Sequence, residues 1–551
     1  MSQGSWRTRS WRGSSSETGA EDLNLLVENA AWKITFVLVG FGLLLLDSLG
    51  RVERRQRGVL TRACVGLWAC ASIAILMLLV VNHVSFPLNI DLMEGTVLQH
   101  FRRAMSLSPV YPQPAPEFVP LAYNVLYYYF CVPFGYVVGD GLSTLRLVSI
   151  LGMVGIGVIV YRVVADMSGS RWWGGVSAGL FAAAYRVMDA YLDSAHSDSW
   201  FVLSAVFGSY IIGKGRSRNW NLLGIAILVS SFWFKQHGAW FAIGGVLFLT
   251  WREGWRSSMR YWLLALCLGP GLYVLAGPEL FGSHYHYFTW EVPRQWSEFG
   301  LWTLRRYLGF IVLYYLPLAA AALWLAGRSV VGGRDRIDIW TFQLPFALLT
   351  GFTGALDPGS SNNVFIAQGV WLIIVGCAGL ADLARRGLAV WRFPAWAAAL
   401  ILSFGVFLYD PRALMVSGDA ARAYGDLVAT LKGMDGPVYA PSVGQLQADY
   451  AFFPAAHWVA LQDMIRGPGR DERNHPVVRE LLKPALEPRG KAYILANVRL
   501  EVYPWLAFLG EYYQLERDFG DRFKPLRVLP KRWDHGWPRY LYQYQPRTKE
   551  R

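Results

Sequence analysis

Charge is scarce in this chain. Only 17% of its 551 residues are charged and 54% are hydrophobic, against roughly 25% charged in soluble globular proteins, which excludes a disordered tail and an ordinary cytosolic enzyme. Cysteine is scarce too. Cys64, Cys70, Cys131, Cys267 and Cys377 sit inside apolar stretches at spacings that match no C-x-x-C zinc or redox pattern. A phosphate loop of the form G-x-x-x-x-G-K-S/T is missing. Gly152, Gly155 and Gly157 lie inside an apolar run rather than after a strand, so helix packing accounts for them better than nucleotide binding. Residues 1–29 are polar and lack the small-residue cleavage pattern of a signal peptide, so insertion is expected to rely on the uncleaved helices.

What the chain has instead is apolar runs, and about 20 apolar residues suffice to cross a bilayer as a helix. About 11–13 such segments can be counted, beginning near residues 31, 63, 119, 144, 172, 199, 219, 238, 261, 307, 340, 363 and 390. The fold expected is a polytopic α-helical membrane protein. It has a polar tail over residues 1–30, a multi-spanning region over 31–408 and a small extracytoplasmic α/β domain over 409–551. In that last domain a helix is expected around 414–432, with strands at Pro437 to Pro441 and Ala492 to Asn497.

The formal charge of +13 reads as topology, not as a nucleic-acid surface, because Arg and Lys gather in the short links between apolar runs. The clusters Arg51 to Arg57, Lys214 to Arg218, Arg252 to Arg260, Arg328 to Arg336 and Arg385 to Arg392 are expected to be cytoplasmic. Alternation then places residues 84–118, 189–198, the aromatic loop 279–303 and the link Asp357 to Asn363 on the outer face of a plasma (inner) membrane, together with the C-terminal domain. An odd number of segments separates the first two outer stretches, so one of them does not span. Pro120 and Pro133 point to 119–139 as a juxtamembrane or re-entrant piece.

Chemistry-bearing residues collect in the outer stretches. Asp91 and Glu94 follow an early helix, and on a helix they would share one face. A carboxylate there can accept a proton from a hydroxyl or hold a divalent cation. The next stretch carries Asp189, Asp193, His196 and Asp198. Asp189 and Asp193, at i,i+4, would repel on a helical face unless a cation or proton intervened. Lys235-Gln236-His237 interrupts two apolar segments, and a lysine so placed calls for an anionic partner such as phosphate. His284, His286, Glu291 and Arg294 stand in an aromatic loop that an interfacial belt explains equally well. The link Asp357-Pro-Gly-Ser-Ser-Asn-Asn363 suits either helix capping or an anion.

In this order the motifs resemble the C-type superfamily of multi-spanning membrane glycosyltransferases, near the family 39 and oligosaccharide-transferase-like groups. The features that carry the likeness are Asp91-Leu-Met-Glu94-Gly95, Ser-Pro-Val-Tyr111-Pro112, Pro120 to Tyr129, Asp193 to Asp198, Lys235-Gln236-His237 and Gly354 to Asn363. Residues 1–50 fall outside it, and the second loop has scattered acids rather than Asp-x-Asp or Asp-x-Glu. The resemblance implies a hexosyl- or pentosyltransferase that moves a sugar from a polyprenyl-phosphate donor to a glycan, lipid or protein acceptor with inversion. Carried across, Asp91 would be the general base and Glu94 its support or a cation ligand. Asp193, His196 and Asp198 would position sugar or metal (Mg or Mn, with Glu94 and Asp198 as ligands). Lys235 and His237 would neutralise the leaving phosphate, and Asn363 would bind substrate. A transporter or flippase of lipid-linked glycans and a noncatalytic scaffold are the competing readings; the first would want ionisable groups near the bilayer midplane and broken helices in repeated halves.

Overall fold

A backbone in hydrocarbon must satisfy its own N–H and C=O groups, so apolar runs fold as helices. The computed structural model describes residues 27–49, 59–215, 217–390, 393–443, 446, 454–468, 470–473, 475–529 and 536–545. The polar tail up to residue 26 and the Arg51 to Arg57 cluster lie outside the described residues. Each expected apolar segment is helical: α1 (Ala30–Leu49), α2 (Val59–Val84), then, after the amphipathic α3 (Glu94–Met105), α4 (Leu126–Val138), α5 (Leu142–Ser168), α6 (Arg171–Ala183), α7 (Asp198–Lys214), α8 (Arg218–Phe234) and α9 (Ala239–Glu253). The series continues with α10 (Trp255–Phe281), α11 (Leu301–Val331), α12 (Ile339–Ala355), α13 (Asn362–Arg385) and α14 (Ala395–Phe407).

Six of these, α1, α2, α5, α10, α11 and α13, are long and apolar enough to cross a membrane. Helix α13 is the centre of the bundle, with 94% of its apolar window buried, as expected of a helix that is hydrophobic all round. It is approached closely by α11: a Cβ at Gly379 would fall 2.1 Å from the carbonyl oxygen of Ala321. Gly152 and Gly155 do the same for α5 against α7, where added Cβ atoms would meet Ser199 and Leu203 at 2.8 and 2.9 Å.

Residues 119–125 are irregular, and only the 13 residues of α4 are helical, with Pro133 inside. At 1.5 Å per residue that is roughly 20 Å, shorter than the roughly 30 Å hydrocarbon core, a length that α6 and α14 share. The aromatic stretch 279–303 is more helical than a loop: α10 runs on to Phe281, and helical turns cover Tyr287–Glu291 and Val292–Trp296.

The C-terminal region has helix α15 (Ala420–Lys432), helix α16 (Trp458–Ile465) and a four-stranded sheet. Its strands are β1 (Val438–Tyr439), β2 (Tyr493–Ala496), β3 (Tyr513–Asp518) and β4 (Tyr540–Tyr544), ordered β1-β2-β4-β3; β1 and β2 are parallel and the other pairs antiparallel. Its core takes in Phe86, Leu88 and Ile90 from the stretch just before Asp91, packed with Leu427, Leu495 and Leu541. Leu529 also donates its N–H to the Ile90 carbonyl at 3.3 Å. The last part of the chain thus buttresses the first polar loop.

Candidate functional site

The first loop ends in a turn, not a helix. Asp91 accepts the Met93 N–H on Oδ1 at 2.9 Å, and its carbonyl accepts the Glu94 N–H at 3.3 Å, so α3 begins only at Glu94. The shared helical face expected for Asp91 and Glu94 is therefore not formed, because Asp91 terminates the helix that would have carried it. The two carboxylates have different partners.

Glu94 is fully buried against Arg146 of α5. Its Oε2 accepts from Arg146 Nη2 at 2.6 Å and from the Ile90 N–H at 2.8 Å, and its Oε1 accepts from Arg146 Nε at 3.0 Å and from the Ala195 N–H at 2.8 Å. The guanidinium also donates to the carbonyls of His83, Phe86 and Leu88 at 3.1, 2.5 and 2.5 Å. One buried ion pair thus fastens both polar loops to α5. Arg146 was not among the residues singled out in the sequence; a charge inside an apolar helix, costly unless paired, was the available signal.

Asp91 itself is buried and shares a hydrogen bond with Tyr191, which also bonds Ser361. Burial, followed by the nearby charges of Asp91 and Asp189, raises the Tyr191 phenol well above its ordinary range, so the hydroxyl stays protonated and donates to the carboxylate.

The second loop does not form the helical i,i+4 carboxylate pair expected of Asp189 and Asp193. Asp189 and Ala190 adopt left-handed backbone, φ 56° and 54°, conformations that cost a non-glycine residue roughly 1–2 kcal/mol. The reversal sends the two carboxylates apart. Asp189 accepts the Asn362 N–H at 2.6 Å, whereas Asp193 is held by His83 Nδ1 at 2.6 Å and the Tyr185 hydroxyl at 2.5 Å. Asp193 is thereby committed to anchoring the loop on α2 rather than to the cluster around Asp198.

Asp198, at the first turn of α7, is the hub of that cluster. Its Oδ1 accepts from Lys235 Nζ at 2.6 Å; its Oδ2 accepts from Asn363 Nδ2 at 3.0 Å and lies 2.7 Å from His196 Nδ1. The His196 ring meets Tyr123 and Tyr191 edge-on, at centroid distances of 5.2 and 5.7 Å, and Lys235 sits 5.7 Å from the Tyr123 ring centre. Asp91 therefore connects to Asp198 through Tyr191 and His196. His237 is near but differently disposed: burial first, then the positive charge of Lys235, lowers its pKa to about 4. Its imidazole is neutral at neutral pH, and Lys235 is the cation of this turn.

A further layer comes from the C-terminal domain. Arg466 grips Asp357 through two hydrogen bonds of 2.7 and 3.1 Å, pairs with Asp463 at 2.9 Å and lies over the Trp296 ring at 3.8 Å. Arg306 of α11 reaches the Ser360 hydroxyl at 2.8 Å. Neither arginine was singled out in the sequence, since their partners are distant in the chain. His284 and His286 stay apart from these residues: His284 Nδ1 contacts Ser283 and His286 Nε2 contacts the Tyr273 carbonyl.

The expected Mg or Mn site on Glu94 and Asp198 does not fit the residues present. Among the described residues no group of three or more His, Cys, Asp or Glu side chains is placed to hold a metal. Both carboxylates already face cations, Arg146 and Lys235, at 2.6 Å, and these would repel a metal ion.

No sequence-family profile matches the chain, and no curated protein matches it. Solved structures do. ArnT from Cupriavidus metallidurans in the apo state is similar over 86% of this chain and 97% of its own, at 12% identity and a TM-score of 0.52. The same protein bound to undecaprenyl phosphate matches at 12% identity over 87% and 98%, TM-score 0.49. The arabinosyltransferase EmbB from Mycobacterium smegmatis matches at 15% identity over 64% of this chain and 33% of its own, TM-score 0.33. The apo ArnT likeness shows a shared fold and bears out the architecture expected from the apolar runs: an integral membrane protein of apolar helices with a small C-terminal α/β part.

Proposed function

We propose that this chain is a membrane glycosyltransferase that moves a hexosyl or pentosyl group from a polyprenyl-phosphate donor to a glycan, lipid or protein acceptor on the extracytoplasmic side of the plasma membrane. One observation carries the reading. A buried carboxylate, Asp91, and a buried lysine, Lys235, belong to one network of polar and edge-on ring contacts, linked through Tyr191, His196 and Asp198. A carboxylate that can take a proton and a cation that can face a phosphate are the two groups this reaction needs. The motif resemblance and the fold shared with ArnT support the same reading.

In the proposed step the acceptor hydroxyl gives its proton to Asp91 while its oxygen bonds to the anomeric carbon. The bond from that carbon to the phosphate oxygen breaks from the opposite side, and the electron pair leaves on polyprenyl phosphate, with inversion. Tyr191 holds the Asp91 carboxylate in place. Lys235 trades part of its contact with Asp198 for the leaving phosphate, where negative charge grows in the transition state. His196 and Asn363 orient Asp198, Glu94 acts through Arg146 as a positioning residue, and Asp193 and neutral His237 have supporting parts. The ionisable groups named here stand at helix ends and in loops, which favours chemistry at an interface over transport through the midplane.

The test is release of polyprenyl phosphate from a panel of polyprenyl-phosphate sugars by the wild type and by Asp91→Asn in proteoliposomes, with and without a chelator. The near-isosteric change should cut release by at least about 100-fold, and chelation should leave the wild type unaffected. No release from any donor by folded wild type would move the assignment to a flippase or a scaffold.

A further inference from the structure

Helix α7 has the Asp198 cluster at its first residue and a second polar feature at its last. The 17 residues from Asp198 to Lys214 put the two roughly 24 Å apart along the helix. At the far end lies a cavity of about 480 Å³ between the C-terminal ends of α5, α7 and α9 and the turn that leads into α12. Met167, Phe248 and Trp340 line it, and Lys214, Arg252, Arg334 and Arg336 also face it.

The charge there is unlike that elsewhere on the same face. Arg328, Arg385 and Arg386 all converge on Asp382, at 2.5, 3.7 and 3.0 Å, so each of them has a carboxylate partner. Around the cavity Asp166 takes Lys214 at 2.7 Å, and Asp338 is occupied in capping α12 through the Thr341 N–H at 2.8 Å. Asp335, also on the lining, is exposed, as are Lys214, Arg252, Arg334 and Arg336. Among the described residues no carboxylate pairs with Arg252, Arg334 or Arg336, while Arg334 is held 5.5 Å from the Trp251 ring centre. Arg334 also donates to the Trp251 carbonyl, and guanidiniums without a carboxylate partner, gathered at one cavity of mixed apolar and charged lining, repel one another until an anion joins them.

We propose that this cavity is an anion site for a phosphate-bearing group, with its aromatic and aliphatic lining taking the adjoining glycerol or organic part. The arginines offer the fork of donors that suits phosphate oxygens, and basic pockets between membrane helices commonly receive anionic headgroups. The site is distinct from the Asp91 network and does not depend on the transferase reading.

Two probes separate the sources of the phosphate: phosphatidylglycerol against phosphatidylcholine retained on the purified full-length protein, read by native mass spectrometry, and inorganic phosphate titrated calorimetrically. Arg252→Ala/Arg336→Ala removes two cavity cations, whereas Arg218→Ala/Arg256→Ala removes two exposed charges outside the cavity lining. The cavity variant should lose about tenfold or more of the phosphatidylglycerol preference, with the control variant unchanged, if the source is a lipid. Loss of phosphate binding without a lipid preference assigns a soluble anion to the same site. Arg252→Gln/Arg336→Gln, which keeps the side-chain stems, should give the same result as the alanine pair. Equal losses in cavity and control variants, or binding of neither probe, would overturn the proposal.

Discussion

The buried Glu94–Arg146 pair yields the sharpest prediction, because every donor and acceptor around it is identified. Glu94→Gln leaves the guanidinium with three backbone carbonyls but no counter-charge, and turns an amide N–H₂ or a weaker acceptor toward its donors. Removing one partner of a buried ion pair costs about 3–5 kcal/mol. Arg146→Met should cost at least as much. It strands a carboxylate on the Ile90 and Ala195 N–H groups and also leaves the carbonyls of His83, Phe86 and Leu88 without their donor. The double variant keeps the carbonyl loss but has no uncompensated charge, so its cost should fall short of the sum of the single costs by about 2 kcal/mol or more. Urea unfolding of the detergent-solubilised protein, run as a double-mutant cycle, measures this. Additive costs, or a Glu94→Gln cost under about 1 kcal/mol, would refute the reasoning, since either would mean that the pair is not desolvated.

Lys235→Met should lower release of polyprenyl phosphate by about 100-fold or more, while His237→Ala, which removes a neutral ring, should cost less than about tenfold; comparable losses in the two would reverse their assignment. Burial, opposed by Arg466 and aided by Asp357, raises the Asp463 pKa from 3.8 to about 6. The stability contributed by that carboxyl is fully present below pH 3.8 and is lost as pH rises through about 6, an effect of about 3 kcal/mol. Asp463→Asn should therefore flatten the fall in melting temperature across this window, and an unchanged slope would place the pKa elsewhere. Ile90→Ala opens a hole between the C-terminal core and the Asp91 turn, and should cost about 2–5 kcal/mol and depress transfer together; stability lost with transfer intact would detach that core from the site.

The helical layout was legible because hydrocarbon leaves the backbone few options: each apolar run became a helix, and the strands expected at Pro437 to Pro441 and Ala492 to Asn497 became Val438–Tyr439 and Tyr493–Ala496. Strand β3 was not legible, since its sequence Tyr-Gln-Leu-Glu-Arg-Asp is almost wholly exposed and carries no apolar alternation. Asp91, Asp198, Lys235 and Asn363 could be picked out as polar residues at the ends of apolar runs. Their pairings could not. Inference from spacing presumes a regular element, and the left-handed backbone at Asp189 and Ala190 breaks that presumption where the loop turns.

The consequence for function lies in where the restraints on Asp91 originate. Tyr191 comes from the second loop, Ser361 from the link before α13, Arg146 from α5, and the packing of Phe86, Leu88 and Ile90 from the C-terminal sheet and α15. Of these, Tyr191 touches the Asp91 carboxylate directly; Ser361 acts through Tyr191, and Arg146 through Glu94, which also takes the Ala195 N–H. A carboxylate held this way is preorganised, which suits the general-base role proposed for Asp91. The C-terminal domain, remote in sequence, is on this argument part of the apparatus that aims Asp91 rather than an appendage to the membrane region.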